Sequence, residues 1–493
     1  MALHPGGALR RLVARGALLA FFPLCAAPAL AEPIGREGAR HLLNRAGFGA
    51  APAEIESFAG LSREQAVERI LSGARREARL APPKFVDEPF TPYRKLRTLS
   101  AEELQREQRR NIEQGLQLRE WWMREMLLTD SPLTERMTLF WHNHFATSQQ
   151  KVRVAALMYR QNALLRSEAL GNFGTLLRGI ARDPAMLVYL DNAGSRRQAP
   201  NENFARELME LFTLGEGRYS EKDVKEAARA FTGWSLDPDA ATFVHRRFWH
   251  DAGEKTVLGR TGRLDGDQVL EILLARPETA EFLAGKLWRE FVSPEPEPAE
   301  LGRLASVLRD ANYELKPLLR AMFSSRAFWA GANRAALVKS PVDLVVGTLR
   351  TFEIHPFSLV PAAVASAVLG QNLFSPPNVK GWPGGEAWIN SATLLARRQF
   401  LERLFRGSDA MPAPSEGPAS GPESRWRRMM ERGMATYAFD WERWSRPFPT
   451  GADGRRRIEQ LALATGAVNP VPPEAEGIEW VRHLVSDPAY QLR

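Results

Sequence analysis

Residues 200–234 read PNENFARELMELFTLGEGRYSEKDVKEAARAFTGW, and this stretch decides which fold is expected. Apolar side chains recur at helical spacing over residues 202–214, with Asn201 placed to cap the helix and Gly215 placed to end it. One side of this predicted helix is apolar, and the other carries a polar arc rich in carboxylates. We call this segment the glutamate helix. The arc contains Glu202, Asn203, Arg206, Glu207 and Glu210.

Further helix signals occur along the whole chain. Ser220 and Asp223 resemble a capping box for the next helix, and Ser340 precedes a helix-starting proline. Strand signals are few, and residues 242–249 and 255–258 predict one or two small hairpins. Strands do not alternate with helices as a doubly wound fold requires. The sequence therefore predicts a mostly α fold, with a single multi-helical core domain and a minor β-hairpin insertion.

The N-terminal residues have the pattern of a secretory signal. Three arginines precede an apolar run at residues 16–29, and Ala29-Leu30-Ala31 matches a signal-peptidase site. The run is too short to span a bilayer. We expect residues 1–31 to be removed at about Ala31. The mature chain would be exported to the periplasm or the extracellular space, with no transmembrane segment.

Composition excludes several kinds of site. The single cysteine, Cys25, lies inside the predicted signal, so the mature chain has no disulfide and no thiolate-bound cofactor. No nucleotide-binding fingerprint matches either. Loss of Arg10, Arg11 and Arg15 lowers the formal net charge from +8 to +5, and no basic-aromatic repeat follows. Nucleic acid is therefore not an expected partner, whereas weak attraction to an anionic polymer stays open.

Composition along the chain also predicts the domain boundaries. Residues 408–424 read SDAMPAPSEGPASGPES, a low-complexity sequence typical of a disordered linker. We therefore predict a helical core domain at residues 32–407, a linker at residues 408–424 and a C-terminal helical tail at residues 425–493. The tail is small for an independent unit, so we expect it to pack on the core.

The polar arc of the glutamate helix has two interpretations. Glu207 and Glu210 are candidates for acid/base catalysis, because a carboxylate facing a cavity has a raised pKa. Arg206 would orient a carboxylate or bind an anionic substrate group, and it can also pair with Glu202 or Glu210 at helical spacing. The alternative is a solvated face of ion pairs with no chemical role.

The motif WHNHF at residues 141–145 contains two histidines. In a helix His142 and His144 point about 200° apart and cannot share a metal, whereas in an extended segment they could. The apolar pattern before them favours a helix. His144 is then either a buried, hydrogen-bonded histidine or a proton shuttle that assists catalysis.

A divalent metal is possible but not required by the sequence. His250 and Asp251 form an adjacent pair of a kind found in metal sites, and Glu202 and His142 are the other candidate ligands. The alternative for the pair is a turn-capping aspartate beside a half-exposed histidine. The sequence does not identify the metal or any other cofactor.

A Pro/Gly-rich loop carries two tryptophans, Trp382 and Trp388. Exposed indoles on a rigid loop would form a stacking surface for sugar rings, and Asn203 is a further candidate for substrate binding. The alternative is that both indoles fill the helical core.

Several long motifs together resemble a bacterial family, the domain of unknown function 1800 family. The resemblance runs from about residue 36 to residue 406, and the Pro-rich insert after it looks like a departure from the family core that leaves the role of the tail open. The matching segments are HLLNRAGFG (41–49), FWHNHFATS (140–148), PNENFARELMELFTLG (200–215), DVKEAARAFTGW (223–234), WHDAGEKTVLG (249–259) and LFSPPNVKGWPGGEAWINSATLLARR (373–398).

The resemblance implies a large exported bacterial protein and no established reaction. It also implies an exported partner of the domain of unknown function 1501 family, which resembles sulfatases and alkaline phosphatases. Two hypotheses follow. One is a hydrolase or lyase that acts on a glycan or another surface polymer. The other is a non-catalytic, export-linked scaffold or binding partner of the sulfatase-like protein.

Overall fold

The computed structural model describes residues 32–405, 437 and 439–493. The described residues from Pro33 onward belong to one compact unit. Its described part contains 23 helices and two small antiparallel sheets, which confirms the predicted mostly α class with minor β-hairpins. The predicted signal at residues 1–31 and the predicted linker at residues 408–424 lie outside the described residues.

Twelve α-helices precede the first hairpin. Several begin at a side-chain cap, as when the backbone N–H of Gln65 donates to Ser62 and that of Glu103 donates to Ser100. These caps satisfy backbone donors that a first helical turn leaves free. The helices are α1 Gly35–Ala46, α2 Pro52–Ala59, α3 Arg63–Ser72, α4 Tyr93–Leu96, α5 Ala101–Leu128, α6 Pro132–His144, α7 Gln149–Val152, α8 Ala155–Ser167, α9 Phe173–Ala181, α10 Pro184–Tyr189, α11 Glu202–Glu207 and α12 Glu221–Ala230.

The remaining helices follow the hairpins. They are α13 Gly266–Ala275, α14 Pro277–Phe291, α15 Pro298–Asp310, α16 Leu315–Phe323, α17 Arg326–Trp329, α18 Pro341–Thr351, α19 Val360–Val368, α20 Ser391–Leu404, α21 Trp441–Ser445, α22 Gly451–Ala462 and α23 Gly477–Ser486. The predicted caps at Ser220 and Ser340 are confirmed at α12 and α18. Near the end of the chain, α22 contacts α1 and α23 contacts α20. None of the described helices is both long and apolar enough to cross a membrane.

The deepest part of the core is built on α6 and α18, whose residues are nearly all buried. Both helices carry charges into that core, and each charge has a partner. Glu135 of α6 binds Arg166 of α8, and Arg136 of α6 binds Asp343 of α18. A buried charge is tolerated only when it is paired, so these ion pairs tie the helices together at defined positions.

The glutamate helix differs from its prediction. It is an α-helix only over Glu202–Glu207 and continues as a π-helix over Leu208–Thr213. The backbone N–H of Leu214 donates to the carbonyl of Met209, five residues earlier, at 2.8 Å. The cap at Asn201 and the buried apolar side are confirmed. The segment lies at the edge of the core, so its polar arc faces the surface and not an internal cavity.

Two short hairpins form the β component. Strands β1 Trp234–Leu236 and β2 Phe243–His245 pair with each other, and β3 Lys255–Val257 pairs with β4 Arg260–Gly262. The predicted hairpin region is confirmed, although β1 begins earlier than the predicted strands. Gly233 before β1 has φ +85°, and a Cβ there would lie 2.8 Å from the carbonyl of Arg246. A glycine is therefore required at this turn.

Candidate functional site: a basic groove

A basic groove lies where α4, α7, the turn after α10 and the first hairpin meet. Its volume is about 940 Å³. Because its walls come from segments far apart in the chain, no local motif defines it. The lining residues are Tyr93, Arg94, Leu96, Arg97, Leu104, Lys151, Arg153, Val188, Asp191, Ala193, Gly194, Arg196, Ser235, Leu236, Pro238, Arg246 and Trp249.

The charge of this groove is strongly one-sided. Its lining contains six arginine or lysine side chains and one carboxylate. Arg94 pairs with Asp239 at 2.7 Å, and Lys151 pairs with Asp191 at 2.6 Å. The other lining arginines, Arg97, Arg153, Arg196 and Arg246, have no ion-pair partner within the described ranges. A concave wall of like charge concentrates ligands of opposite charge.

Two lining residues have an unusual backbone conformation. Arg153 has φ 60° and Asp191 has φ 59°, both in the left-handed region that residues other than glycine rarely adopt. The ion pair between Lys151 and Asp191 joins the two turns that contain them. Left-handed residues of this kind concentrate at functional sites, where the surrounding structure holds them in place.

Arg246 is held rigidly at one wall of the groove. Its guanidinium carbon lies 5.0 Å from the centre of the Trp249 ring. The same guanidinium donates to Ser235 Oγ at 3.4 Å and to the carbonyl of Leu236 at 3.3 Å. A stacked and hydrogen-bonded arginine loses little conformational freedom when a ligand binds.

A second cavity continues from the basic groove and shares Leu96, Leu104 and Arg153 with it. We call it the amide cleft, because four of its side chains are amides. Its volume is about 410 Å³. The residues that line only this cleft are Glu107, Gln108, Asn111, Ile112, Arg119, Gln149, Gln150 and Ser375.

Gln149 is the most informative side chain of the amide cleft. It is only 3% exposed, and its Nε2 donates to the carbonyl of Asn111 at 2.7 Å. Its Oε1 is buried and accepts no hydrogen bond from the residues that the structure describes. Nearby, burial lowers the pKa of Arg119 to about 10. The cleft therefore combines a desolvated cation with a buried acceptor that no described residue satisfies.

Glu207 is half-buried at the surface of the glutamate helix. Burial raises the pKa of its carboxyl, and the nearby charge of Glu210 raises it further, while Lys380 and Arg206 oppose the shift. Burial raises the pKa of Tyr189 and the charge of Glu207 raises it further, and the Tyr189 ring lies under the ammonium of Lys151. Glu207 does not line the basic groove itself, but Tyr189 and Lys151 connect the two.

The other polar residues of the arc are exposed or bound to residues outside the arc. Arg206 forms a two-pronged ion pair with Glu221 at 2.6 and 2.7 Å, and not with the carboxylates predicted from helical spacing. Glu210 accepts a hydrogen bond from the hydroxyl of Tyr219 at 2.5 Å. Asn203 is exposed. This part of the arc therefore matches the alternative interpretation, a solvated face of ion pairs.

His144 is buried and fully hydrogen-bonded. Its Nε2 lies 3.1 Å from the carbonyl of Phe212, and its Nδ1 lies 3.0 Å from the ammonium of Lys286. The first contact makes Nε2 the donor, and the second makes Nδ1 the acceptor. Burial, reinforced by Lys286, keeps the pKa of His144 well below its ordinary value. His144 is thus a neutral core histidine and does not reach a surface substrate, which corrects its assignment as a catalytic candidate.

The four candidate metal ligands do not come together. His142 is buried, and its Nε2 accepts the backbone N–H of Phe374 at 3.1 Å. His250 Nδ1 lies 3.0 Å from the carbonyl of Thr232, and Asp251 binds Arg229 at 2.7 Å. Glu202 is exposed. Within the described ranges, no group of three or more histidine or carboxylate side chains is arranged to hold a metal ion.

The two tryptophans of the Pro/Gly-rich loop are buried, Trp382 at 4% exposure and Trp388 at 7%. Neither presents the open indole face that a sugar-stacking platform needs, so that interpretation is corrected. The loop is instead tied to the core. Asn143 Oδ1 accepts the backbone N–H of Trp382 at 2.6 Å, and the His142 ring packs against the Trp382 indole. His142 and Asn143 of the WHNHF motif therefore hold this loop in place.

A family model described as a protein of unknown function, DUF1800, matches residues 41–492. This match covers nearly the whole chain. The chain belongs to the DUF1800 family. No curated protein and no solved structure matches the chain.

The DUF1800 match extends further than the resemblance found from the motifs. The expected limit was about residue 406, yet the matched span includes α21, α22 and α23. The family model therefore covers the C-terminal helices as well as the helices before residue 406. The same span contains every residue of the basic groove and the amide cleft.

Sequence reasoning missed the basic groove of this DUF1800 protein. Its cations are spread from Arg94 to Arg246, and each stands in an ordinary local context. One local signal was available. Residues 246–249 read RRFW, which places two arginines beside two aromatic side chains. Of these, Arg246 and Trp249 line the groove, and Phe248 is 94% exposed.

Proposed function

We propose that this DUF1800 protein is an exported protein that binds an anionic glycan along the basic groove. The observation that carries the proposal is the charge of the lining, six cationic side chains against one carboxylate in about 940 Å³. A small ligand would not need so long an array of charges. An extended polymer with repeated acidic groups would use all of it.

The amide cleft supports a glycan over other polyanions. Side-chain amides both donate and accept hydrogen bonds, as sugar hydroxyls do. Gln108, Asn111 and Gln150 present such groups, and the Oε1 of Gln149 is a buried acceptor to which no described residue donates. The cleft opens from the groove at Arg153, so one chain can place acidic groups in the groove and hydroxyls in the cleft.

Two groove arginines, Arg153 and Arg196, lack ion-pair partners among the described residues, so both are free to contact a ligand. Arg153→Asn removes a charge and keeps a residue type that tolerates the left-handed backbone. Arg196→Gln removes a second charge. We expect each change to weaken binding of a polygalacturonate oligosaccharide about tenfold, since a charge-assisted contact contributes about 1.5 kcal/mol. Isothermal titration calorimetry at two salt concentrations would measure the affinity and its salt dependence.

The matched control is Arg263→Gln, which removes an exposed arginine outside the groove. It should leave the affinity unchanged. Polyphosphate and neutral dextran oligosaccharides complete the comparison, with weaker binding expected for polyphosphate and none for dextran. The proposed groove would be refuted if Arg153→Asn and Arg196→Gln bound polygalacturonate as tightly as Arg263→Gln does. It would also be refuted if dextran bound as tightly as polygalacturonate.

A second candidate function is cleavage of the bound glycan, as a hydrolase or a lyase. It is favoured by Glu207, whose half-buried carboxyl has a raised pKa and is linked to the groove through Tyr189 and Lys151. A carboxyl with a raised pKa holds its proton to higher pH than an ordinary carboxyl does, which suits a general acid. If the polymer is bound but not cut, the binding role remains, as expected for a non-catalytic, export-linked partner.

Glu207→Gln removes the carboxyl that would act as the general acid. Because general acid catalysis contributes at least about a hundredfold to the rate, we expect this change to slow the release of new reducing ends about a hundredfold or more. Glu202→Gln, an exposed change on the same helix, should have no effect on the rate. Both variants should bind the polymer as the unaltered protein does. An unchanged rate in Glu207→Gln would eliminate this role of Glu207.

A further inference from the structure

A small polar cavity lies beside α18 and shares no lining residue with the basic groove. It has a volume of about 20 Å³. Its walls come from α1, α18, α22 and the final residues of the chain. The lining residues are Asn44, Gly49, Lys339, Asp343, Gly347, Thr351, Leu461, Ala462, Tyr490 and Arg493.

The charges around this cavity do not balance. Six cationic side chains lie in or next to it, and the carboxylates that act on them among the described residues are Asp343, Glu290 and Glu37. Burial alone would raise the pKa of Asp343, but Arg136 and Arg493 hold it well below its ordinary value. The carboxylate is therefore already fully engaged. The six cations are Arg40, Arg45, Arg136, Lys339, Arg397 and Arg493.

Two of these cations line the cavity with unused donors. Arg493 is 7% exposed, and its Nη1 and Nε have no hydrogen-bond partner within the described part of the chain. The Lys339 ammonium lies 3.7 Å from the centre of the Tyr490 ring, and no hydrogen-bond acceptor meets it among the described residues. Burial lowers the pKa of Lys339 to about 7; the charge of Asp343 opposes this shift, and Arg40, Arg397 and Arg493 add to it. Arg493 lies 3.0 Å from Glu290 through Nη2 and 3.4 Å from Asp343 through Nε, so it shares with Arg136 the two carboxylates nearest to the cavity.

We propose that this cavity binds one small monovalent anion of the halide class, held by Lys339 and Arg493. A cavity needs roughly 10–15 Å³ to hold a single water-sized occupant, so a volume of about 20 Å³ suits one small, compact anion. A water molecule would accept the free hydrogen bonds but would leave the excess positive charge unbalanced. A halide does both.

The anion would connect parts of the chain that are far apart in sequence. Asn44 belongs to α1, Asp343 and Thr351 to α18, and Tyr490 and Arg493 to the segment after α23. That segment also pairs with residues before α18, since the backbone N–H of Lys339 donates to the carbonyl of Gln491 at 2.7 Å. Occupancy of the cavity therefore stabilises the attachment of the C-terminal residues to the core.

The test follows thermal unfolding while sodium chloride or bromide replaces sodium gluconate at constant ionic strength. Because a ligand that binds only the folded state raises its stability, we expect Tm to rise with halide concentration and then level off. Lys339→Met, which removes the charge and keeps the volume, should abolish the halide dependence. Lys222→Met, an exposed change on α12, should preserve it. The same Tm in halide and gluconate would overturn the proposal, as would an unaltered halide response in Lys339→Met.

A second measurement needs no variant and stays informative if Lys339→Met does not fold. Crystals of the full chain grown in sodium bromide are measured at the bromine absorption edge. The expected result is one anomalous peak within hydrogen-bond distance of Lys339 Nζ and Arg493 Nη1. Density at that position without an anomalous signal would identify a water molecule and overturn the proposal.

Discussion

Gly381→Ala is expected to lower the free energy of unfolding by about 2–4 kcal/mol. Gly381 has φ +82°, and a Cβ there would lie 2.2 Å from Asn143 Oδ1 and 2.5 Å from the Asn143 carbonyl. Asn143 would have to move away, and the buried backbone N–H of Trp382 would lose its acceptor. The loss therefore combines a strained backbone with an unsatisfied donor. Urea unfolding followed by tryptophan fluorescence would measure it.

Gly385→Ala is the matched control for this prediction. Gly385 lies in the same loop and has φ +56°, but nothing lies within 4 Å of the position that a Cβ would take there. It should cost only the backbone strain, about 1 kcal/mol. Equal losses in the two variants would mean that the contact between Asn143 and the loop contributes nothing. In that case the role of Asn143 in the WHNHF motif would need another explanation.

Arg166→Met is the second change with a large expected effect. Arg166 binds Glu135 through Nε at 2.6 Å and through Nη2 at 2.9 Å, and both side chains are almost fully buried. Without the arginine, Glu135 retains a hydrogen bond from Trp122 Nε1 at 2.8 Å but has lost its counter-ion. A buried charge left without its partner costs about 3–5 kcal/mol, and we expect a loss of that size in chemical denaturation.

Two further variants separate loss of charge balance from loss of packing. The double change Glu135→Gln with Arg166→Met keeps the Trp122 hydrogen bond and removes both charges, so it should recover much of the stability. Arg206→Met breaks an exposed ion pair with Glu221 and should leave stability nearly unchanged. A loss below about 1 kcal/mol in Arg166→Met would contradict the role assigned to the pair.

Local sequence signals predicted the helices well. Ser220 and Ser340 start their helices as expected, because a capping side chain acts within a few residues and its effect is visible in the sequence. The hairpin region was predicted for the same reason, because strand signals also act within a few residues. The π-helix at Leu208–Thr213 was not predicted, since apolar spacing does not distinguish one extra residue per turn over so short a segment.

The site was much harder to predict, because residue type does not determine burial. His144, Trp382 and Trp388 suit a site or a core equally well by composition, and all three are in the core. The basic groove was hard to predict for a different reason. Arg97 and Arg196 are separated by about a hundred residues, and only the fold of α4 and the turn after α10 brings them to one surface. Long-range placement of this kind has no local pattern.

The π-helix has a consequence for comparing relatives of this protein. A six-residue π segment is an α-helix into which one residue has been inserted, and the surplus residue changes the rotation of everything after it. A relative with an uninterrupted α-helix here would be one residue shorter between Leu208 and Thr213. Its alignment with this chain should contain a single-residue gap at that place, and a gapless alignment would match Glu210 with the wrong position.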